Sequence, residues 1–283
     1  MTPLTGRVAL GGAAMAIEGG PIEPQLAVIE AALEAGARIL DTARAYAPVG
    51  VPVYGERLMA TAARAWPETV IATKGGHFRT GEASWDVDNS PERLRRDLDL
   101  ARATLGVEQV GVFYLHRADQ GDVPLDESLG FLAEARRAGE IGAVGVSNVS
   151  RAQLDALSSA LRPDAVQNAF SVFVDDSADV LEWCERHEVA FFAYSPLGGR
   201  ARAGSLDEAL PRLAALAHDR ALSLPRLVLR GLLSSSPVLS VVSGAGRPES
   251  ARDAASAEAE TWDAHCAAAW DADVAALHAA HHD

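Results

Sequence analysis

The sequence predicts an α/β chain closed into a (β/α)8 TIM barrel, and three observations lead there. Short apolar runs alternate with helical patterns from one end of the chain to the other. The runs carry little period-two alternation, as expected of parallel strands buried on both faces. Eight such units in 283 residues leave about 35 residues each, the rhythm of a barrel rather than of a six-stranded open sheet. The predicted strands are 8–10, 38–41, 70–73, 111–115, 143–146, 165–167, 190–194 and 239–242. The first of them runs into a glycine turn at Gly11 and Gly12. Between strands, 24–35 sets Leu26, Ile29 and Leu33 on one helical face, and 91–105 does the same with Leu94, Leu98 and Leu105. Ser90 ahead of Pro91 reads as an N-cap with proline at the first helical position. Gly36, Gly106 and Gly139 stand where helices stop in a left-handed residue.

No linker rich in proline, glycine or serine divides the chain, so residues 1–283 read as one domain with a helical C-terminal tail from Ala251 onward. Two long non-helical stretches, 47–54 and 75–89, follow strands directly and are expected to roof the mouth of the barrel. The formal charge of −14 argues against nucleic acid or an anionic membrane as partner. The charge-free run 231–246 is too short and too broken by Pro237 and serines to span a bilayer. Cys184 and Cys266 have neither CxxC nor zinc-like spacing, which fits a reducing, cytoplasmic setting. His278, His281 and His282 lack an acidic or cysteine partner at metal-ligand spacing, and no metal is expected.

Polar residues collect at the carboxyl ends of the predicted strands: Asp41, Lys74, His116, Ser147 and Asn148, Gln167 and Asn168, Tyr194 and Ser195, and Ser243. On a barrel these ends meet at one mouth, where active sites lie. Any one of them has an ordinary structural explanation. Together they would be many buried polar groups without a purpose. At these positions the sequence resembles the aldo-keto reductase family, from about residue 8 to residue 253. The segments GARILDTARAY, ATKGG, FYLHRAD, IGAVGVSNVS, AVQNAFSVF, AYSPLGG and VVSGAGRPES carry the resemblance, in order and each on its own strand end.

The resemblance implies reduction of an aldehyde or ketone, or the reverse oxidation, with NADPH as cofactor and a small-molecule carbonyl as substrate. Tyr46 would be the general acid, Lys74 and Asp41 would tune it, and His116 would orient the carbonyl. A free phenol is a poor acid near neutrality, and a neighbouring ammonium eases its proton release. Ser147, Asn148 and Gln167 would hold a carboxamide, Tyr194 would stack under the nicotinamide, and Ser195, Leu197 and Gly198 would cradle the pyrophosphate. Ser243, Gly244 and Arg247 would serve the other end of the cofactor, Arg247 facing the 2′-phosphate at a helix start. Arg200 and Arg202 are open between a phosphate role and a solvated loop. No GxGxxG follows a strand, which disfavours a Rossmann site.

Two departures from the family pattern stand out. APVGVPVYG intervenes between Tyr46 and Glu56 and offers Tyr54 as a rival phenol, although Tyr46 keeps the five-residue offset from Asp41. Ser250 and Ala254 occupy positions where many members carry further phosphate-binding residues, so NADH stands as the alternative cofactor. Phe78 and Trp85 are expected to wall the substrate pocket. Competing functions are a nicotinamide-nucleotide-binding sensor or subunit with little turnover, and a Schiff-base aldolase acting through Lys74. The sequence leaves substrate, direction and oligomeric state open.

Overall fold

The computed structural model describes residue 4 and residues 6–280. Among the described residues there are ten strands: β1 Val8–Gly11, β2 Ile39–Asp41, β3 Val70–Gly75, β4 His77–Arg79, β5 Trp85–Val87, β6 Val110–Leu115, β7 Ile141–Ser147, β8 Ala165–Ala169, β9 Ala190–Tyr194 and β10 Leu239–Gly244. Eight of them close into a barrel in the order β1-β10-β9-β8-β7-β6-β3-β2, and every ladder in it is parallel. All eight predicted strands lie in this barrel. The two additional strands, β4 and β5, form an antiparallel hairpin inside the stretch expected to be without regular structure. Three residues each and mostly exposed or half-buried, they carry no apolar run for a sequence reading to find.

Two faces of each strand bury against different partners. Ile39, Val70, Ala72, Val112, Tyr114, Ala143 and Phe192 fill the barrel interior. Phe113, Leu115, Val144 and Val146 point outward into the layer beneath the helices. Both faces are apolar because both are covered, which is why alternation is faint in the sequence. The alternation nevertheless decides where the functional groups point. Asp41 follows Ile39 by two, and Lys74 follows Val70 and Ala72, so both side chains turn inward at the top of the barrel.

Lys74, Tyr114 and Gly145 are neighbours in one row across β3, β6 and β7. Tyr114 is 1% exposed, and its ring lies where a side chain on Gly145 would have to go. The missing side chain at Gly145 therefore gives the large ring its place under Lys74, whose Nζ is 5.9 Å from the ring centre.

Helix ends follow their signals. The Ser90 hydroxyl accepts from the Arg93 amide at 3.2 Å, and the helix Pro91–Leu105 ends at Gly106 with φ +69°. The tail is two helices rather than one, Pro248–Ala255 and Ala264–Ala279, the second capped by Asp263 accepting from the His265 and Cys266 amides. The segment after β1 contains a short helix, Ala13–Glu18, where the sequence suggested only a turn. Among the described residues no helix is long and apolar enough to cross a membrane, and no group of three or more His, Cys, Asp or Glu is arranged to hold a metal ion. His281 and His282 lie outside the described residues.

Gly145→Ala is expected to lower stability by about 1–3 kcal/mol, the cost of forcing a methyl into a filled core. Chemical denaturation monitored by circular dichroism measures it.

Candidate active site

The mouth of the barrel holds a cavity of about 740 Å³, and the strand ends line it. Behind its lining residues Asp41 and Tyr46, Lys74, 1% exposed, donates from Nζ to Asp41 Oδ1 at 2.6 Å and to the Thr42 carbonyl at 2.9 Å. The other carboxylate oxygen, Oδ2, accepts from Gln167 Nε2 at 2.9 Å across the barrel. Lys74 has three N–H donors, so one remains beyond these two. Its Nζ lies 5.0 Å from the centre of the Tyr46 ring. Burial opposes the ammonium charge, but Asp41 and then Tyr46 more than offset it, and the Lys74 pKa is raised. Burial also pushes the Tyr46 phenol up, against the pull of Lys74, so the phenol holds its proton near neutrality.

His116 follows β6 directly, and its ring meets that of Tyr46 edge-on at 5.5 Å. Burial, then Lys74, His77 and Arg117, hold its pKa well below the usual histidine value, so the ring is neutral. Its Nδ1 is buried without a hydrogen-bond partner. An orphaned acceptor is tolerated more readily than an orphaned N–H, which favours the tautomer with the proton on Nε2.

The rival phenol is elsewhere. Tyr54 opens the helix Tyr54–Ala63, and its hydroxyl is engaged with the Gly20 carbonyl at 3.0 Å and Gln25 Oε1 at 2.9 Å. Tyr54 does not line the cavity, whereas Tyr46 does.

The remaining strand ends form the other half of the cavity. Asn148, at φ +57°, donates to the His116 carbonyl at 2.9 Å and accepts from the Tyr194 hydroxyl at 2.8 Å. Ser147 donates to the Gln167 carbonyl at 2.7 Å. Asn168 is turned away into a structural role, accepting from the Val149 amide and donating to the Val149 carbonyl. Ser195, Leu197, Ser243 and Gly244 all line the cavity. Gly198 lies just behind them at φ +80°, where a side chain would strike Phe173. Arg247 is exposed at the start of the helix Pro248–Ala255, outside the cavity lining, and its side chain makes no hydrogen bond or ion pair among the described residues. Arg202 lies over the Phe173 ring at 5.3 Å, and the Arg200 side chain is outside the described structure.

Phe78 and Trp85 do not wall the cavity. They sit on the β4–β5 hairpin, where Phe78 packs under the Arg93 guanidinium at 3.5 Å and Trp85 packs under Arg79 at 5.1 Å. The hairpin instead grips the segment that carries Tyr46. Trp85 Nε1 donates to the Ala45 carbonyl at 3.4 Å, and Arg79 donates to the Ala47 carbonyl at 2.9 Å. From the same hairpin it is His77 that lines the cavity, together with Arg117 beyond β6. The sequence reading passed over both; the signal for His77 was its position three residues beyond Lys74.

The family model described as "Aldo/keto reductase family" matches residues 7–274. The chain belongs to the aldo/keto reductase family, whose members are NAD(P)-dependent oxidoreductases. This aldo/keto reductase is 30% identical over 247 residues to an uncharacterised oxidoreductase of Schizosaccharomyces pombe, covering 84% of this chain and 77% of that one. It is 25% identical to an L-glyceraldehyde 3-phosphate reductase of Escherichia coli, over 81% of this chain and 77% of that one. In fold it is similar to a glycerol dehydrogenase from Gluconobacter oxydans, at TM-score 0.80 and 24% identity over 96% and 92% of the two chains. It is similar also to an aldo-keto reductase from Klebsiella pneumoniae solved in complex with NADPH, at TM-score 0.77 and 22% identity over 94% and 90%.

Burial, then Arg117, hold the His77 pKa at about 4, against 6.5 for an ordinary histidine. Between these values the unfolded chain binds a proton that the folded one does not, so stability falls as pH drops from 6.5 toward about 4. Thermal denaturation of this aldo/keto reductase across that range is expected to show a shallower loss for His77→Gln than for the parent.

Proposed function

We propose that this chain, working as one barrel domain, reduces an aldehyde or ketone with NADPH, or runs the reverse oxidation. The single observation that carries the reading lies behind the cavity lining. There a buried ammonium is held by Asp41 Oδ1 at 2.6 Å and by the Thr42 carbonyl at 2.9 Å, below a phenol that keeps its proton. Negative charge developing on a carbonyl oxygen needs a proton donor at that point. Tyr46 supplies the proton, and Lys74, kept charged by Asp41, stabilises the phenolate left behind. Neutral His116 donates from Nε2 to the same oxygen and sets its approach.

The residues present fit the cofactor. Gly246 has nothing within 4 Å of where a side chain would begin, and Gly244 has only the Gly11 carbonyl at 3.8 Å, which leaves a shallow track along the end of β10. Tyr194 offers a ring face, Ser147, Asn148 and Gln167 offer amide and hydroxyl groups, and Ser195 and Leu197 offer backbone amides at a left-handed turn that the Gly198 amide closes by donating to the Ser195 carbonyl at 2.9 Å. Arg247, without a competing acid, suits a 2′-phosphate and so favours NADPH over NADH. When bound, the nicotinamide supplies the hydride.

The aldolase reading fares worse, because Lys74 is a doubly engaged ammonium with a raised pKa rather than a free amine nucleophile. The sensor reading has no use for a protonated phenol set against an ammonium. Both cysteines are free and buried, in keeping with a reducing cytoplasm.

Tyr46→Phe is expected to cut kcat/KM for NADPH-dependent reduction of reactive aldehydes by at least about a hundredfold. NADPH affinity, followed by fluorescence titration, should stay near the parent value. Tight NADPH binding by the parent without consumption across an aldehyde panel would favour the sensor. Arg247→Ala is expected to weaken NADPH much more than NADH; equal losses would remove its phosphate role.

A further inference from the structure

Among the groups lining the cavity, His77 has no part in the chemistry described so far. It opens β4, and its backbone is pinned opposite Val87, so its ring is mounted on a strand rather than on a loose loop. That ring lies 4.8 Å from the His116 ring at 76°, and the His116 ring lies 5.5 Å from Tyr46 at 83°. The three side chains thus stand in series along one wall. No side-chain hydrogen bond to His77 exists among the described residues, and its Nδ1 is buried without a partner. With Nδ1 closed off from any ligand, Nε2 is the ring nitrogen left to bond a group in the cavity.

We propose that His77 is a second substrate-binding group, which selects carbonyl compounds carrying an uncharged oxygen on the carbon next to the C=O, above all α-hydroxy aldehydes and ketones. With the reacting oxygen between Tyr46 and His116, an oxygen on the adjacent carbon falls beside the neighbouring imidazole. Burial keeps His77 neutral, with a pKa of about 4, so it presents one donor and one acceptor. A hydroxyl, itself donor and acceptor, matches Nε2 in either tautomer. A carboxylate would find one hydrogen bond there and no free cation to offset its charge. The nearby cation at the mouth, Arg117, is already neutralised by Asp119, with Nε to Oδ1 at 2.8 Å and Nη2 to Oδ2 at 2.7 Å. The substrate class is therefore α-oxygenated and uncharged there, rather than a 2-oxo acid.

This inference rests on the carbonyl-reductase reading above, and the test separates the two. The kcat/KM values for lactaldehyde and propionaldehyde, which differ by one hydroxyl, are measured with NADPH for the parent, His77→Leu and His77→Gln, with pyruvate as a third substrate. Comparing the ratio of the two aldehydes between variants cancels their unequal intrinsic reactivity. The hydroxyl preference is expected to fall about five- to tenfold in His77→Leu, the worth of one hydrogen bond between uncharged groups, and to be largely kept in His77→Gln. His77→Phe, which keeps a ring in the site, gives the same reading if His77→Leu does not fold. An unchanged ratio with turnover intact overturns the role of His77 alone. Pyruvate reduced better than lactaldehyde overturns the substrate class. No NADPH consumption by the parent with either aldehyde overturns the reductase reading and this one with it.

Discussion

A buried ion pair holds the site together. Asp41 and Lys74 are 3% and 1% exposed, and two charges taken this far out of water are tolerable only where their hydrogen bonds are nearly complete. Here they are. Asp41 accepts from Lys74 on one oxygen and from Gln167 on the other, while Lys74 also reaches the Thr42 carbonyl. Gln167 is 126 residues from Asp41 in the chain and on the opposite side of the barrel. The hydrogen bonding of the buried pair is thus completed only when β2, β3 and β8 have closed into one ring.

Around that pair the chain arranges its aromatic rings by omission as much as by contact. Gly145 leaves the space that Tyr114 fills, and Tyr114 in turn floors the ammonium. The proposed proton donor is treated differently, since Tyr46 stands on a loop rather than a strand. Its neighbours on either side, Ala45 and Ala47, have their carbonyls bonded by Trp85 and Arg79 of the hairpin. Backbone fixation of this kind restrains a loop without spending any side chain of the loop itself. It gives the hairpin a reason to exist in a place where a bare connection would have joined β3 to the next helix.

Much of this was legible in the residues. Asp41, Lys74 and His116 each end a run of buried apolar residues, and on parallel strands that places them at one rim. Ser90 and Gly106 marked their helix with the chemistry of caps, which acts within a few residues. What stayed illegible depends on contacts between distant segments. Phe78 and Trp85 looked like pocket walls because the stretch that carries them follows a strand end. Their partners, Arg93 and Arg79, draw them instead onto the hairpin's own packing. His77, unremarkable as a residue type, became part of the cavity because β4 turns its ring toward His116.

The sequence by itself determined the barrel and the order of the strand-end groups. These follow from the local alternation of apolar runs with helical patterns. The tertiary structure alone decided which phenol meets the ammonium. The five-residue offset from Asp41 favours Tyr46 in the sequence but says nothing of how far either ring reaches. Only the packing of helix Tyr54–Ala63 against Gly20 and Gln25 engages one hydroxyl elsewhere and leaves the other beside Lys74. Such a choice is made by long-range contacts, which a linear pattern does not contain.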